Sequence, residues 1–499
     1  MWEAEMTIKT YTLFAITVLT AAALCGCAAP ADTAGEPSRE RERATPAKEH
    51  KAEATRPDAG RYNEPDALID PIDAAIERGI GYLASAVNGK DGSYGVTLTT
   101  GQGERYRGDV GVTALVVNAI ARSPFAEREM SKEYFRKALR YLEEHIQENG
   151  SITNAGQGLE NYRTSIAAMA LAAVDAGKYA DVIKKAQGFI KSQQFNEEDK
   201  LNPDHKYYGG IGYGGRFTRP DLSNTQWALE ALRETGLDPG DETFKKAVVF
   251  LRRCQNLTDT NDYDQRHEKI IPINDGGARY APYESKVVVN APDDREMFLS
   301  YGSMTYAFLK SMIYAGIDRS DPRLRAAFRW VLRNYSLDRN PGFSTTLNKN
   351  ADKQGLFYYY HTMSKALLLY GKHILETPNG KKHNWALELS QKLASLQGKD
   401  GSWVNPHEAR WYEGNPSLVT AYSIMALNNC RREILRQREF LANTPGRIAD
   451  LEKRISEIRK QIQNGSIEKV EGKRRLFELK ETVDALKSAL KNLKDTQVD

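Results

Sequence analysis

The chain has 499 residues, enough for two to four domains, and 40% of them are hydrophobic while 27% are charged. This composition is typical of a mainly globular, soluble protein. The net charge of +4 arises from 70 basic and 66 acidic residues. Because the two signs are nearly balanced, the charge argues against nucleic acid as a partner.

The N-terminus has the pattern of an export signal. Residues 12–24 form a short, almost uninterrupted apolar run, too short for a permanent membrane span and typical of a signal-peptide core. The run ends in a Leu-Cys-Gly-Cys string that resembles the lipobox of bacterial lipoproteins. The resemblance implies that Cys27 is lipidated and that Ala28, next to it, directs the protein to the outer membrane, facing the periplasm.

Lys9 fits a basic leader whereas Glu3 and Glu5 do not, so we expect translation to start at Met6. Residues 1–27 are therefore predicted to be a lipoprotein signal peptide, with an ordinary cleaved signal peptide as the alternative.

Residues 28–66 are rich in Ala, Glu, Arg, Thr and Pro and almost free of large apolar side chains. Such a segment cannot bury enough surface to fold, and it is predicted to be a disordered tether. Beyond it only Cys254 and Cys430 remain of the four cysteines, too few for a disulfide framework. No Cys-x-x-Cys or His-Glu-x-x-His motif is present, so we expect neither a metal nor another cofactor.

A pattern of a basic residue, a small residue, and then an aromatic and an aliphatic residue recurs six times in varying states of preservation. Neighbouring copies lie between 48 residues (Tyr141 to Phe189) and 80 residues (Phe250 to Trp330) apart. A period of this size is typical of one helical unit repeated along the chain. The copies end at Tyr82-Leu83, Tyr141-Leu142, Phe189-Ile190, Phe250-Leu251, Trp330-Val331 and Lys392-Leu393.

Each repeat pairs two kinds of predicted helix. The first is amphipathic, as in residues 131–147 and 242–254, and the second is apolar on all sides. A helix with one apolar stripe lies on the outside of a fold, and one that is apolar all round is buried. Residues 71–430 are therefore predicted to form an all-α (α/α)6 toroid of six outer and six inner helices. The predicted inner helices are 111–121, 164–176, 225–234, 303–315, 362–370 and 417–429.

Residues 431–499 differ from the repeats. Apolar residues recur at alternating spacings of three and four from Ile448 to Ile462 and again from Leu476 to Leu493. The string Asn464-Gly465-Ser466 separates the two stretches. This pattern predicts an antiparallel coiled-coil hairpin, with a single solvated charged helix as the alternative. A hairpin over residues 446–499 offers a surface for a protein partner or for self-association.

The repeats resemble the QW motif of squalene–hopene cyclases and of protein prenyltransferase β-subunits. That motif adds a Gln and then Gly-x-Trp to the basic-small-aromatic string, as Gln194, Gln255 and Gln397 with Gly401-Ser402-Trp403 do here. The glycine-rich loop 209–215 and the Arg410-Trp411-Tyr412-Glu413 string are similar to loops of bacterial proteins with these repeats. The resemblance implies the toroid fold, but a fold does not by itself determine function.

In a toroid of this family, a ligand cavity is expected at the N-terminal ends of the inner helices, where free N–H groups and partial positive charge favour polar ligands. Side chains before these helices are thus the site candidates, with helix capping or packing as the alternative for each. Asp221, Glu413 and His361 are the candidate catalytic residues. The predicted ligand-binding set is Tyr213, Asp221, Asn224, Tyr301, Tyr360, His361, Arg410, Trp411 and Glu413.

Two family signatures are incomplete. The cyclases protonate an alkene with an Asp-x-Asp-Asp motif, which this sequence lacks; Asp262-Tyr263-Asp264 and Asp293-Asp294 lie in a long loop. Prenyltransferases hold zinc with Asp, Cys and His, and only the His is matched, at Tyr360-His361-Thr362. One histidine does not make a zinc site, so His361 is expected to be a hydrogen-bonding cavity residue.

These observations favour a lipid-anchored cell-envelope toroid that binds a ligand or partner in or around the ring without the usual catalytic motifs. One alternative is a terpenoid-cyclase-like enzyme that acts on a hydrophobic isoprenoid. Another is a polysaccharide-active enzyme, which would need two carboxylates about 5–9.5 Å apart, with Asp221 and Glu413 as the pair.

Overall fold

The computed structural model describes residues 66–100, 103–214, 219–346 and 348–496. These residues contain fourteen α-helices and three short two-stranded antiparallel sheets. The predicted signal segment, Cys27 and the predicted tether up to residue 65 lie outside the described residues. Within the part of the chain that the structure describes, no helix combines the length and hydrophobicity needed to cross a bilayer.

Six helices form a closed inner ring in which each packs on the next and the last packs on the first. Their buried residues extend round the whole helix circumference, as the uniformly apolar sequence predicted. The all-α toroid is confirmed. The inner helices are α2 (Val110–Ala121), α5 (Glu160–Asp175), α7 (Leu222–Glu234), α9 (Gly302–Tyr314), α11 (Leu356–Tyr370) and the start of α13 (Pro416–Gln463).

Six outer helices cover this ring, and each buries one stripe. They are α1 (Asp70–Ala86), α4 (Glu133–Glu144), α6 (Ala180–Ser192), α8 (Glu242–Cys254), α10 (Pro322–Asn334) and α12 (Trp385–Leu396). A short helix, α3 (Ala126–Met130), precedes α4. The pairs of strands are β1 (Gly95–Thr100) with β2 (Gly103–Gly108), β3 (Val288–Asn290) with β4 (Glu296–Phe298), and β5 (Leu375–Glu376) with β6 (Lys382–His383).

The glutamine of the QW-like pattern has a structural role at the joint between repeats. The side-chain amides of three glutamines each donate to a loop glycine carbonyl of their own repeat and to a carbonyl in an early turn of the next outer helix, at 2.8–2.9 Å. The bonded sets are Gln194 with Gly209 and Thr243, Gln255 with Gly276 and Arg323, and Gln397 with Gly401 and Ala75.

The small residue of the pattern is explained by close packing at the same joint. A Cβ added to Gly79 would lie 2.7 Å from the ring of Trp403, which packs on α1 from the sixth repeat. Gly401 adopts a left-handed φ of 88°, and a Cβ there would lie 2.4 Å from the carbonyl oxygen of Arg78. Only glycine combines this conformation with this contact. The first and sixth repeats are therefore joined by the same contacts as neighbours in sequence.

The sixth inner helix continues beyond the ring. α13 runs without a break from Pro416 to Gln463, with Pro445 inside it, so the predicted boundary at residue 430 falls within a continuous helix. It then turns into α14 (Lys469–Asp495), and the two arms run antiparallel, because Lys487 reaches Glu452 at 2.7 Å while Gly472 lies beside Ile462. Ile448, Ile455 and Val483 are buried in the seam between the arms, as the heptad spacing predicted. Lys382 donates to Asn492 at 2.7 Å and ties α14 to the ring.

Candidate functional site

The loops that precede the inner helices contact one another round one mouth of the ring, the N-terminal mouth. Asn161 N donates to Tyr213 O at 3.1 Å, and Leu222 N donates to Tyr280 O at 2.7 Å. On the far side Asn415 Nδ2 donates to Gly95 O at 2.7 Å and so connects the loop before α13 with β1. The sequence-predicted site residues lie here or one to two turns deeper.

Asp221 is the N-cap of α7. Its carboxylate accepts hydrogen bonds from Asn224 N at 2.8 Å and from Asn224 Nδ2 at 2.9 Å. Burial raises the pKa of Asp221 to about 6, although the hydrogen bonds from Asn224 and Tyr280 lower it. The nearby Tyr213 hydroxyl lies 3.1 Å from that of Tyr280, and burial together with the charge of Asp221 raises the pKa of Tyr213 to about 12. Asp221 therefore acts as a cap, and its pKa lies above that of an ordinary aspartate.

Glu413 holds the N-terminus of a different helix. Its carboxylate accepts from Tyr358 N at 2.8 Å, in the first turn of α11, and from Asn405 Nδ2 at 2.7 Å. Burial raises the pKa of Glu413 to about 7, although these hydrogen bonds lower it. The side chain is 1% exposed. Helix capping is the role that the contacts of Glu413 describe.

Tyr358 lies between the two acids. Its backbone N–H is bonded to Glu413, and its hydroxyl lies 3.0 Å from Ser223 Oγ in the first turn of α7, beside the Asp221 cap. Gln226 Nε2 also donates to this hydroxyl, at 3.2 Å. Each carboxylate is therefore held at its own helix, with the tyrosine in between.

His361 lies at the centre of the ring rather than before a helix, because α11 begins at Leu356, five residues earlier than His361. Its imidazole stacks with Trp227 at a centroid distance of 5.3 Å and with Tyr422 at 5.5 Å. Burial, together with Lys310 and Lys365, lowers the pKa of His361 well below its usual value, so the ring is neutral. Among the described residues neither ring nitrogen has a hydrogen-bond partner.

Two candidates are packing residues. The Tyr360 hydroxyl donates to the carbonyl of Leu337, and its ring packs edge-on against Phe357, 5.7 Å away. Tyr301 is 2% exposed and packs edge-on against Phe343 at 5.1 Å.

Arg410 and Trp411 lie at the rim of the N-terminal mouth. Arg410 donates to Gln354 Oε1 at 3.0 Å, and its guanidinium covers the Trp411 ring at 4.9 Å. Trp411 and Tyr412 both have left-handed backbones, with φ of 58° and 65°, and are 41% and 64% exposed. Two consecutive bulky residues in this region are strained, and strain of this kind is often associated with a functional surface.

The axis of the ring is occupied by Tyr162, Trp227 and Tyr422, and the last two lie outside the set predicted from the sequence. The Tyr162 and Tyr422 hydroxyls lie 3.4 Å apart, and Tyr162 packs against Trp227 at 5.7 Å. The sequence signal of Trp227 and Tyr422 is an aromatic residue within the first two turns of an inner helix, and the predicted set consists mainly of residues before the helices. Below His361 the ring encloses a cavity of about 40 Å³.

No group of three or more His, Cys, Asp or Glu side chains in the described ranges is arranged to hold a metal ion. His361, which alone matches the prenyltransferase zinc set, has Trp227, Tyr422, Lys310 and Lys365 as its neighbours.

No protein-family model matches this chain, and no curated protein matches it. Solved structures do. The type II terpene cyclase MstE from Scytonema matches with a TM-score of 0.44 and 15% identity over 73% of this chain and 99% of its own. A protein from Actinoplanes matches at 0.41 and 14% over 72% and 99%. An unsaturated glucuronyl hydrolase specific for heparin matches at 0.44 and 11% over 73% and 97%.

Proposed function

We propose that this chain is a lipid-anchored cell-envelope binding protein that docks a protein partner on the rim of its N-terminal mouth. The observation that carries the proposal is where the exposed large apolar side chains lie. Seven are exposed in the ring among the described residues, and all seven lie in segments between an outer helix and the following inner helix. They are Tyr106, Leu159, Val288, Val289, Val404, Trp411 and Tyr412.

The distribution of these residues favours a protein over a narrow ligand. They come from four different inter-helix segments, so they ring the mouth rather than line one cleft. Trp and Tyr are enriched among the residues that contribute most of the affinity at protein interfaces, and the exposed Trp411 and Tyr412 are adjacent at this rim. A ligand of the cyclase class would need an open cavity of about 300 Å³ or more in the interior of the ring. The buried aromatic residues Tyr162, Trp227 and Tyr422 occupy that space instead.

The anchor rests on the sequence. Cys27 follows the apolar segment in the pattern of a lipobox, and residues 28–66 would let the ring reach a partner away from the membrane surface. Metabolic labelling with a radioactive fatty acid tests this step. Label in the wild-type chain that is lost in Cys27→Ser supports the anchor, and equal label in both would refute it.

The docking surface is tested by a photo-crosslinking amino acid placed at position 412 in the full chain, in its native envelope. The matched control places it at Lys245, an exposed position of α8 on the outer layer. We expect one envelope protein to be crosslinked from position 412 and not from 245. The purified partner should then bind the Trp411→Ser variant at least about tenfold more weakly than wild type. Its affinity for the Phe477→Ser variant, which alters the hairpin, should be unchanged. Crosslinks from the hairpin alone would contradict docking at the mouth.

A second candidate, an acid-dependent hydrolase, is favoured by one observation. Two carboxyls near the N-terminal mouth have pKa values raised to about 6 and about 7, for Asp221 and Glu413, and a general acid needs a pKa close to the working pH. Both groups are buried, so the loops at the mouth would have to open. Hydrolysis of an envelope polysaccharide that is abolished both by Asp221→Asn and by Glu413→Gln would establish this candidate in place of the first.

A further inference from the structure

The cavity below His361 lies among the C-terminal halves of the inner helices, opposite the N-terminal mouth. Its volume of about 40 Å³ leaves room for about three water-sized groups, since each needs roughly 10–15 Å³. Its walls come from α2, α7, α11 and α13. Arg432 lines it and is also exposed, which gives the cavity a route to solvent.

The charges around this cavity do not balance. Two carboxylates, Glu230 and Glu234, are surrounded by four cations: Arg122, Lys310, Lys365 and Arg432. Arg122 pairs with Glu234 at 2.7 Å, Lys310 pairs with Glu230, and Lys365 pairs with both, lying 3.5 Å from Glu230. Burial would raise the pKa of Glu234, but Arg122 and Lys365 outweigh it and lower the pKa, so this carboxylate is ionised.

Arg432 is the cation that forms no direct ion pair. Among the described residues no carboxylate lies within salt-bridge distance of its guanidinium, and Glu234 acts on it only at longer range. Helix dipoles account for only part of the excess positive charge. Arg122 lies at the C-terminal end of α2, where it meets partial negative charge, whereas Lys310 and Lys365 lie before the last turns of α9 and α11 and beyond the reach of that effect.

The wall also carries unsatisfied polar atoms. His361 is 1% exposed and Asn428 is 6% exposed, yet both imidazole nitrogens and Asn428 Oδ1 have no partner in the described part of the chain. Asn428 Nδ2 donates to Ala119 O at 3.0 Å, which fixes the orientation of the amide and directs its oxygen elsewhere. Buried polar atoms of this kind are normally satisfied by a bound water or ion.

We propose that this cavity is a binding site for a small monovalent anion of about halide size, together with one or two waters. The anion would accept hydrogen bonds from Arg432 and from the N–H of neutral His361, and the waters would donate to Asn428 Oδ1. This assignment balances the excess positive charge and satisfies Asn428 Oδ1 and one imidazole nitrogen of His361 with one set of occupants. It is independent of what docks at the N-terminal mouth.

Bromide is the probe, because its anomalous scattering separates it from water. We expect crystals of the full chain grown in sodium bromide to show an anomalous peak in the cavity. In solution, sodium chloride should raise the melting temperature of the full chain more than sodium gluconate does at equal ionic strength, with a saturating midpoint. Water density alone in the cavity, without a bromide peak, would overturn the proposal.

Arg432→Gln should raise the chloride midpoint about tenfold or more, because one charged donor is lost. Arg436→Gln is the matched control: Arg436 lies one turn further along α13, donates to Leu368 O and does not line this cavity. Arg432→Lys should restore part of the response. Equal chloride responses in Arg432→Gln and Arg436→Gln would also overturn the proposal.

Discussion

Gln397 Nε2 donates to the carbonyl oxygen of Ala75 at 2.9 Å, and these residues are 322 positions apart in the chain. Gln194 and Gln255 make the same contact between consecutive repeats. The Gln397 bond makes it between the last repeat and the first. A linear array would leave this glutamine without its second acceptor. The ring is thus closed by the same interaction that joins its neighbours.

Loss of this amide should open the joint. Gln397→Ala removes the side-chain donor to the Ala75 and Gly401 carbonyls and the acceptor of Arg78, and we expect it to lower the free energy of unfolding by about 2 kcal/mol. Chemical denaturation checks this. Gln193→Ala is the control, since among the described residues the Gln193 side chain bonds only to its neighbour Ser192, and it should cost less than about 0.5 kcal/mol. Equal losses in both variants would show that closure does not depend on Gln397.

Removing one partner of the buried Lys310–Glu230 pair should lower the free energy of unfolding more than removing both partners. Lys310→Met leaves Glu230 in a buried site with only the more distant Lys365, and we expect a loss of about 3–5 kcal/mol. Lys310→Met combined with Glu230→Gln should recover most of that loss, because no unpaired carboxylate remains. A double variant as unstable as the single one would contradict the electrostatic explanation.

Glu413 predicts a pH dependence of stability. Its pKa rises from 4.5 in the unfolded chain to about 7 in the fold, so between these values the folded protein binds more protons than the unfolded chain. The free energy of unfolding should therefore fall as pH rises from about 4.5 to 7, by up to about 3 kcal/mol from this group, and then level off. Denaturation of wild type and of Glu413→Gln at several pH values tests this: the decline should be smaller in the variant. Parallel curves would refute the assignment.

Replacing Tyr412 should stabilise the fold but weaken partner binding. Its left-handed backbone is costly for a tyrosine, and asparagine tolerates that conformation better. Tyr412→Asn should therefore raise the free energy of unfolding, by up to about 1 kcal/mol, while weakening partner binding. Phe477→Asn removes an aromatic residue of similar exposure, 65%, from an ordinary helix and should bring no such gain. A destabilised Tyr412→Asn would show that the ring of Tyr412 contributes more than its strain.

The candidate site was only partly predictable. Asp221 was selected because it precedes an inner helix, and it does cap α7. Tyr360 and His361 are predicted to precede the fifth inner helix but lie within α11, because the helix starts after Gly355 in a left-handed conformation and not at a recognisable cap residue. The axial residues Trp227 and Tyr422 were missed because a large aromatic residue in a buried helix has the same sequence signal whether it faces the axis or the outer layer.

The architecture follows from local patterns: the repeated motif, the two classes of helix and the heptad spacing can be read within short windows, because they reflect helix geometry and burial. What fills the ring depends instead on long-range contacts. Trp227 stacks with His361, and Arg432 lines a cavity together with Glu234, although these residues are distant in sequence. Which side chains meet at the axis depends on the rotation of each inner helix about its own axis, and that rotation is set by packing against both neighbours at once.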